Sequence, residues 1–361
     1  MTSPYAIALS HFAAFGSRTY VRLFENFETY AHIWHATPEA LTAAGLNQKV
    51  TDQFVAWRQT INPDHLAEQV RALNIDTLDR NDPRFPQALQ TIFDPPIILY
   101  VRGSLPTTTN MLGVVGSRDA TTYGLSTAQS LSSELSQAGL VIVSGLARGI
   151  DLAAHTGAME ANGKTIAVLA HGHEQLKGAK LAFSQRILQQ GGAIISEQPP
   201  HLSAQHFHFP IRNRIIAGLC RGVLIVEAEL PSGTLHTAQA AINAHREVFA
   251  IPGPINSPTS VGTNKLLQDG AHVTTSATDI LTVLGLTAQT PPVTPSLLTP
   301  PPYTPNSPAE AALLPHLSKQ PIHIDDLAKH AQLPISEVLG TLTILEIHGK
   351  VRHLGQMFYS L

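Results

Sequence analysis

Short runs of glycine and arginine that follow apolar segments are where this chain carries its most specific chemistry. One stretch shows the pattern at greatest length: Leu140-Val-Ile-Val-Ser-Gly-Leu-Ala-Arg-Gly-Ile-Asp-Leu-Ala-Ala-His155. Leu140 to Val143 reads as a buried strand. Ser144 and Gly145 open a turn that runs to Gly149, and an alanine-rich helix starts at about Asp151. Asp151 either caps that helix or favours its positive end. Glycines let backbone N–H groups turn outward and approach a ligand closely. A strand, a glycine-rich turn and a helix N-terminus together make an anion site, and Arg148 adds a full charge inside the turn. Taken alone, such a segment is equally a tight turn with no ligand.

The elements that must position these residues repeat the same arrangement. Strand candidates Met111–Val115, Leu140–Val143, Thr165–Leu169, Ala193–Ile195, Val223–Val226 and Val248–Ile251 alternate with helical stretches, one of which has an apolar face of Leu125, Ala128, Leu131 and Leu135. Continuous apolar strands separated by helices predict an α/β fold with a parallel sheet covered on both faces. Such sheets bind ligands outside the carboxyl ends of their strands. Gly116, Ser117 and Arg118 follow the first strand; Ser144, Gly145, Arg148 and Gly149 follow the second. Ala170-His-Gly-His173 follows the third, and Ser196-Glu197 with a long loop to Phe209-Pro-Ile-Arg-Asn-Arg214 follows the fourth. Glu227 and Ser232-Gly-Thr234 follow the fifth, then Pro252-Gly253 and Gly262-Thr-Asn-Lys265 the sixth. One edge thus collects small residues for close approach and arginines for bidentate phosphate contact. No Gly-x-Gly-x-x-Gly follows the first strand and no Walker lysine motif occurs.

Single side chains divide between binding and bracing. Arg118 and Arg148 lie on the ligand edge and are expected to bind phosphate; an ion pair of Arg148 with Asp151 is the structural alternative. In Arg212-Asn213-Arg214, one side chain is expected to face the pocket while another braces the loop. Lys164 precedes a strand, so simple topology puts it on the opposite edge. His171, His173, His206 and His208 form two His-x-His pairs, but no carboxylate or cysteine completes a metal set, and neutral hydrogen-bonding histidines are expected instead. Phe207 and Phe209 are core residues, or one of them stacks a base.

Composition narrows the class. The net charge of −3 gives no basic body, so a nucleic-acid partner needs a local patch. The single cysteine, Cys220, excludes a disulfide framework and fits a reducing compartment. No signal pattern or apolar run of about 18–20 residues occurs, which predicts a cytoplasmic protein with no membrane partner. Residues 1–78 read as a helical domain, with Thr37-Pro38-Glu39 starting a helix and Gly45 ending it. A faint helix-hairpin-helix turn at Ala44-Gly45-Leu46 sits among five basic and six acidic residues in 1–75, which favours a small interaction domain. Residues 79–286 hold the sheet, ending in the capping box Ser276-Ala-Thr-Asp279. Residues 287–308 contain eight prolines and read as a linker. In 309–361, helical patterns flank the turn Gln332-Leu-Pro334 and a strand-rich tail follows, the order of a winged helix. Its second helix carries Glu337 and Glu346 and no Lys or Arg, which favours protein contact or a vestigial role over groove binding.

The chain resembles the DNA-processing protein A (DprA, also called Smf) family. The resemblance rests on Val115-Gly-Ser-Arg118, Ser144-Gly-Leu-Ala-Arg-Gly-Ile-Asp151 with His155, Gly163-Lys-Thr-Ile-Ala-Val168, Ile195-Ser-Glu197, Phe209-Pro-Ile-Arg-Asn-Arg-Ile-Ile-Ala217, Ser232-Gly-Thr234, Ile251-Pro-Gly253 and Gly262-Thr-Asn264 with Gly270-Ala271. They fall in order across most of residues 80–275. The resemblance implies a sterile-alpha-motif-like N-terminal domain, an extended Rossmann-like core and a C-terminal winged helix. It further implies a protein with no cofactor, metal or catalytic residue that coats incoming single-stranded DNA during natural transformation, loads the RecA recombinase and forms a homodimer through its core. It places Lys164 near the DNA groove. The family's Gly-Thr-Gly and Tyr-Pro after the third strand are replaced here by Ala170-His-Gly-His-Glu-Gln-Leu-Lys-Gly-Ala-Lys180, where Lys177 and Lys180 could supply phosphate contacts of their own.

An enzyme is the main rival: a nucleotide phosphoribohydrolase of the lysine-decarboxylase-like family, whose Pro-Gly-Gly-x-Gly-Thr loop Ser232-Gly-Thr234 resembles. That loop is followed by a catalytic glutamate, whereas Leu235-His-Thr237 follows here. A transcription regulator acting through the winged helix is a third reading, opposed by the acidic second helix.

Overall fold

Residues at alternate positions of a strand face opposite sides of its sheet, so a run apolar throughout needs cover on both. The structure, a computed structural model, describes residues 2–286, 305, 307–318, 322–347, 350–353 and 357–360. Its strands are β1 Asp76–Asp79, β2 Ile98–Gly103, β3 Met111–Val115, β4 Val141–Ser144, β5 Thr165–Leu169, β6 Ala193–Ser196, β7 Gly222–Ile225, β8 Glu247–Ala250 and β9 His272–Val273. They form one sheet in the order β1-β2-β6-β5-β4-β3-β7-β8-β9. From β6 to β9 every neighbouring pair is parallel. The expected parallel sheet is extended by three strands: β9 runs parallel to β8, β2 antiparallel to β6 and β1 antiparallel to β2. β1 reads Asp-Thr-Leu-Asp, too short and polar to stand out in sequence.

Helices follow almost every strand. α1 Pro4–Ser10, α2 Ser17–Phe24, α3 Tyr30–His35, α4 Pro38–Ala43, α5 Gln48–Arg58 and α6 Pro63–Ala72 precede the sheet. α7 Gln87–Gln90, α8 Thr122–Gln137, α9 Ile150–Glu160, α10 Gly178–Gln189, α11 His208–Leu219, α12 Gly233–Asn243, α13 Val261–Gln268 and α14 Ala277–Val283 are woven through it. Along β3 the strand period shows directly: Leu112 and Val114 pack with Ala128, Leu131 and Leu135 of α8, while Met111 and Val115 pack with Ile215 and Ile216 of α11. Leu125, expected on the buried face of α8, is 37% exposed; the stripe that reaches the sheet starts one turn later.

The six N-terminal helices close on an aromatic core of Phe12, Phe15, Tyr20, Trp34 and Phe54, which continues into Ile98 and Tyr100 of β2. Thr37 accepts the Ala40 amide to cap α4, and Gly45 takes a φ of 91° after it. Because this core is shared with the sheet, Met1–Thr290 forms one compact unit, and the boundary expected after residue 78 falls inside β1. Ser276 and Asp279 make the expected reciprocal cap on α14.

Pro291–Leu361 forms a second unit. The expected linker, 287–308, lies almost wholly outside the described residues. α15 Pro308–Leu313, α16 Ile324–Ala331 and α17 Ile335–Ile347 pack around Leu313, Leu327, Val338, Leu342, Leu345 and Tyr359. Gln332, in the left-handed region at φ 55°, turns the chain between α16 and α17. β10 Ile322–His323, β11 Arg352–His353 and β12 Phe358–Ser360 form a sheet in the order β10-β12-β11, which completes a winged helix with one strand more than the sequence suggested. Among the described residues, no helix is long and apolar enough to cross a membrane.

α8 and α9 approach so closely that a Cβ at Gly157 would fall inside 3.0 Å of the Gln129 carbonyl oxygen. Gly→Ala in a helix interior ordinarily stabilises by about 1 kcal/mol. Here backbone blocks the methyl group, so Gly157→Ala is expected to destabilise by about 1–3 kcal/mol, read as a lower denaturation midpoint in urea. A stabilised variant would show that the two helices can part without cost.

Candidate nucleic-acid interface

The strand order reverses at β3: β4 lies on one side and β7 on the other, so the loops leaving their carboxyl ends diverge and open a crevice. A cavity of ≈ 340 Å³ fills it, lined by Gly116, Ser117 and Arg118 after β3, Asp151 of α9, Phe209, Arg212 and Asn213 of α11, and Ser232-Gly233-Thr234 at the start of α12. A second cavity of ≈ 260 Å³ adjoins it and shares Arg118, Ala147, Phe209 and Arg212, adding Gly145, Arg148, His171 and Lys180. Arg118, Arg148, Lys180 and Arg212, distant in sequence, therefore meet at one edge.

The turn after β4 is held from below. Asp151, which sequence placed at the helix start, accepts the amides of Gly145 and Ala147 through Oδ2 at 3.0 and 3.3 Å. Gly149, at φ 82°, is the N-cap residue instead, and a Cβ there would strike the Ser117 carbonyl. The Gly145 amide thus turns inward to Asp151 rather than outward. The amides of Arg118, Arg148 and Gly149 have no hydrogen-bond partner among the described residues. Ser144 Oγ donates to the Val114 carbonyl at 2.6 Å, a fully buried strand-to-strand tie. Ser117 Oγ accepts the Asp119 amide at 3.1 Å and shapes the loop that carries Arg118.

Arg212, only 7% exposed, is the central brace. Its Nη1 donates to the Gly145 carbonyl at 2.8 Å and to the Val168 carbonyl, and Nε donates to Asn213 Oδ1 at 3.1 Å. A side chain at position 145 would occupy the same space as the guanidinium. Asn213 Nδ2 continues the chain of contacts to the Gly233 carbonyl at 3.2 Å.

Burial pushes Arg212 down to about 10, opposed by Asp151 and reinforced by Arg118. Asp151 is raised, by burial first, with Arg212 and the two amides opposing. Lys180 is lowered by burial, then by Arg118 and Arg212. Burial is the leading cause of both cation shifts and Arg118 adds to each, so an anion between these cations would relieve repulsion of like charges. Arg118 is exposed, with its guanidinium 5.0 Å from the Phe209 ring centroid. Arg148 is exposed and pairs with Asp119 at 2.5 Å, not with Asp151. Exposed pairs of this kind are worth roughly 0–1 kcal/mol, so Arg148 is readily released to a phosphate.

Other expected site residues lie elsewhere. Lys164 stands just before β5, at the amino-terminal edge of the sheet, and does not join the cavities. Arg214 faces away from them: its Nη2 bonds both Glu197 oxygens at 2.6 Å. Two residues along a helix turn about 200°, so Arg212 and Arg214 cannot share a face. Lys177 is the exposed N-cap residue of α10 and lines neither cavity. His171 and His173 bond the carbonyls of Gly172 and Ile194, and His208 accepts the Gln205 amide. No cluster of three potential metal ligands occurs among the described residues. Two carboxylates on the cavity wall, Asp119 and Glu229, escaped sequence reasoning because neither sits in a recognisable motif.

The family model for DNA recombination-mediator protein A matches residues 76–285, and that for the DprA winged-helix domain matches residues 298–357. Protein Smf of Escherichia coli is 40% identical over 273 residues, 73% of this chain and 72% of that protein. The solved structure of DNA processing protein A from Streptococcus pneumoniae superposes with a TM-score of 0.64 at 32% identity, covering 78% of this chain and 98% of that one. That of the Helicobacter pylori protein, described for its single-stranded DNA binding mode, gives 0.52 at 29% identity over 58% and 95%.

Histidines held away from water make the fold acid-labile. Burial lowers His155 to about 3 and His173 to about 4, and His11 of the helical segment to about 4. Each stays neutral when folded but takes a proton on unfolding below about 6.5, so its contribution is full above pH 6.5 and is lost as pH falls. Asp151, raised, opposes with a single proton. Stability is expected to fall between pH 6.5 and 4 by up to about 1.4 kcal/mol per pH unit per histidine. Urea denaturation at a series of pH values measures this, and His173→Gln should flatten the slope; an unchanged slope would mean that His173 is charged in the fold.

Proposed function

The chain belongs to the DNA recombination-mediator protein A family, and from that premise we propose that it binds single-stranded DNA along the edge where β3, β4 and β7 diverge. The observation that carries this is the meeting of Arg118, Arg148 and Lys180 above the buried Arg212. Phosphates would lie over Arg118, Arg148 and Lys180, with the free amides of the two turns as added donors. Gly116, Ser117, Ser144, Gly145 and Gly149 give the backbone its shape there, while Arg212 and Asn213 hold the loops in register. The binding described for the Helicobacter pylori relative supports this assignment. The core of residues 79–286 would therefore be the DNA-binding part.

The same protein would coat a strand taken up in natural transformation, hand it to the RecA recombinase and act as a homodimer through the core. Half-exposed Ile242, near the end of α12, and Val273, in the two-residue edge strand β9, favour association of two cores.

Arg118→Ala is expected to weaken single-strand binding by about tenfold or more, the loss of one charge-assisted contact, with no change in melting temperature. Arg212→Ala should instead destabilise the fold by about 3–5 kcal/mol, since it strands Asp151 in the interior. Titration over a range of salt should give a log–log slope of about −0.7 per phosphate neutralised. Binding that ignores salt, or an Arg118 variant that binds normally, refutes the assignment.

The winged helix is proposed to lie outside the main DNA contact, because α17 carries Glu337 and Glu346 and no cation. A chain ending at Leu286 retains nearly all of the compact unit and should bind a single strand within tenfold of the full chain, as followed by mobility shift. A larger loss would place part of the contact, or of the dimer, in the tail.

A further inference from the structure

We infer that a second cleft, between the helical segment and the sheet, receives nucleobases of the strand whose phosphates lie over Arg118 and Arg148; this rests on the single-strand reading above. The cleft has a volume of ≈ 560 Å³. Phe15, Arg18 and Tyr20 line one wall, and Phe207, Ile211 and Arg214 line the other. Pro210 lines this cleft and the first cavity alike, so the two open on either side of one turn of chain. The start of α11 divides its residues by helical period. Phe209, Arg212 and Asn213 face the first cavity; Phe207, Ile211 and Arg214 face the second. A strand crossing the rim at Pro210 meets both.

The electrostatics of the two spaces differ in kind. Around the first, Arg118 and Lys180 have no ion-pair partner among the described residues and Arg148 has an exposed one in Asp119. In the second, each cation is matched: Arg18 with Asp94 at 3.0 Å and Arg214 with Glu197 at 2.6 Å. No surplus charge is left for phosphate. What the second cleft offers is a flat apolar face. Phe207 is 56% exposed, and among the described residues its ring meets that of His208, with centroids 4.3 Å apart. Phe209, by contrast, has a face covered by the Arg118 guanidinium. Aromatic faces beside a cationic track are how single strands are held without regard to sequence. Ser17 and Gln198 in the lining can meet base edges.

The test compares the full chain with its variants on an oligodeoxythymidine strand and on an abasic strand of equal length, at one salt concentration. Phe207→Ala is expected to lose about fivefold or more on the base-bearing strand and nothing on the abasic one. Arg118→Ala should lose on both. Phe207→Trp should keep its affinity, with fluorescence quenched by the base-bearing strand and not by the abasic one. Two results overturn the inference. Phe207→Ala binding both strands like the parent would leave the cleft to an apolar segment of a protein partner, and an equal loss on both strands would make Phe207 a backbone or folding contact. If the parent binds neither strand, or Arg118→Ala is neutral on both, the single-strand reading itself has failed, and the inference goes with it.

Discussion

One buried guanidinium holds the candidate site together. Bringing a charge out of water costs several kcal/mol unless it is paired and fully hydrogen-bonded. Arg212 meets that demand with the carbonyls of Gly145 and Val168, with Asn213 Oδ1, and with the nearby charge of Asp151. Those acceptors belong to the end of β4, the end of β5 and α11. Asp151 in turn holds the amides of Gly145 and Ala147, so the turn after β4 is fastened on its inner side by both members of the pair. Arg118 and Arg148 can then stand exposed on loops that do not themselves need to be rigid.

This knot explains what the sequence disclosed and what it withheld. The parallel strands were legible because both faces are covered, which makes their residues apolar without interruption. β1 was hidden because Asp76 and Thr77 lie at the sheet's outer edge, where burial imposes no pattern. The convergence of loops was legible from topology alone, since every parallel strand delivers its following residues to the same edge. Orientation within a motif was not. Arg212-Asn213-Arg214 can be placed at the edge from sequence, but which arginine turns inward depends on where α11 begins, and that start at His208 follows no cap signal. Asp151 likewise looked like a capping residue because its distance from the strand suits one. The geometry gives the cap position to Gly149, whose φ of 82° and ψ of −132° lie outside the left-handed region open to an aspartate and suit glycine alone.

The resemblance to a known family placed Lys164 near DNA, whereas topology alone put it on the far side of the sheet. Lys164 immediately precedes β5, and a strand of five residues separates it from the loop that carries His171. At about 3.3 Å per residue, that strand keeps the amino-terminal edge well over 10 Å from the cavities. Lys164 can reach DNA only if a strand wraps past the edge of the sheet or a second copy of the chain brings its own strand there.

The net charge of −3 does not conflict with a polyanion partner. At about 0.1 M salt, charges more than about 10 Å apart are largely screened, so a phosphate over Arg118 would respond to Arg148, Lys180 and Arg212 and to the nearby Asp119 and Asp151, and little to acids elsewhere. The same locality discriminates between forms of DNA. A single strand can bend into a crevice and leave the rest of the acidic surface untouched. A duplex, with a persistence length of about 50 nm, cannot fold into a cavity of this width. Under the proposed function, a preference for single strands would arise from shape and charge placement together.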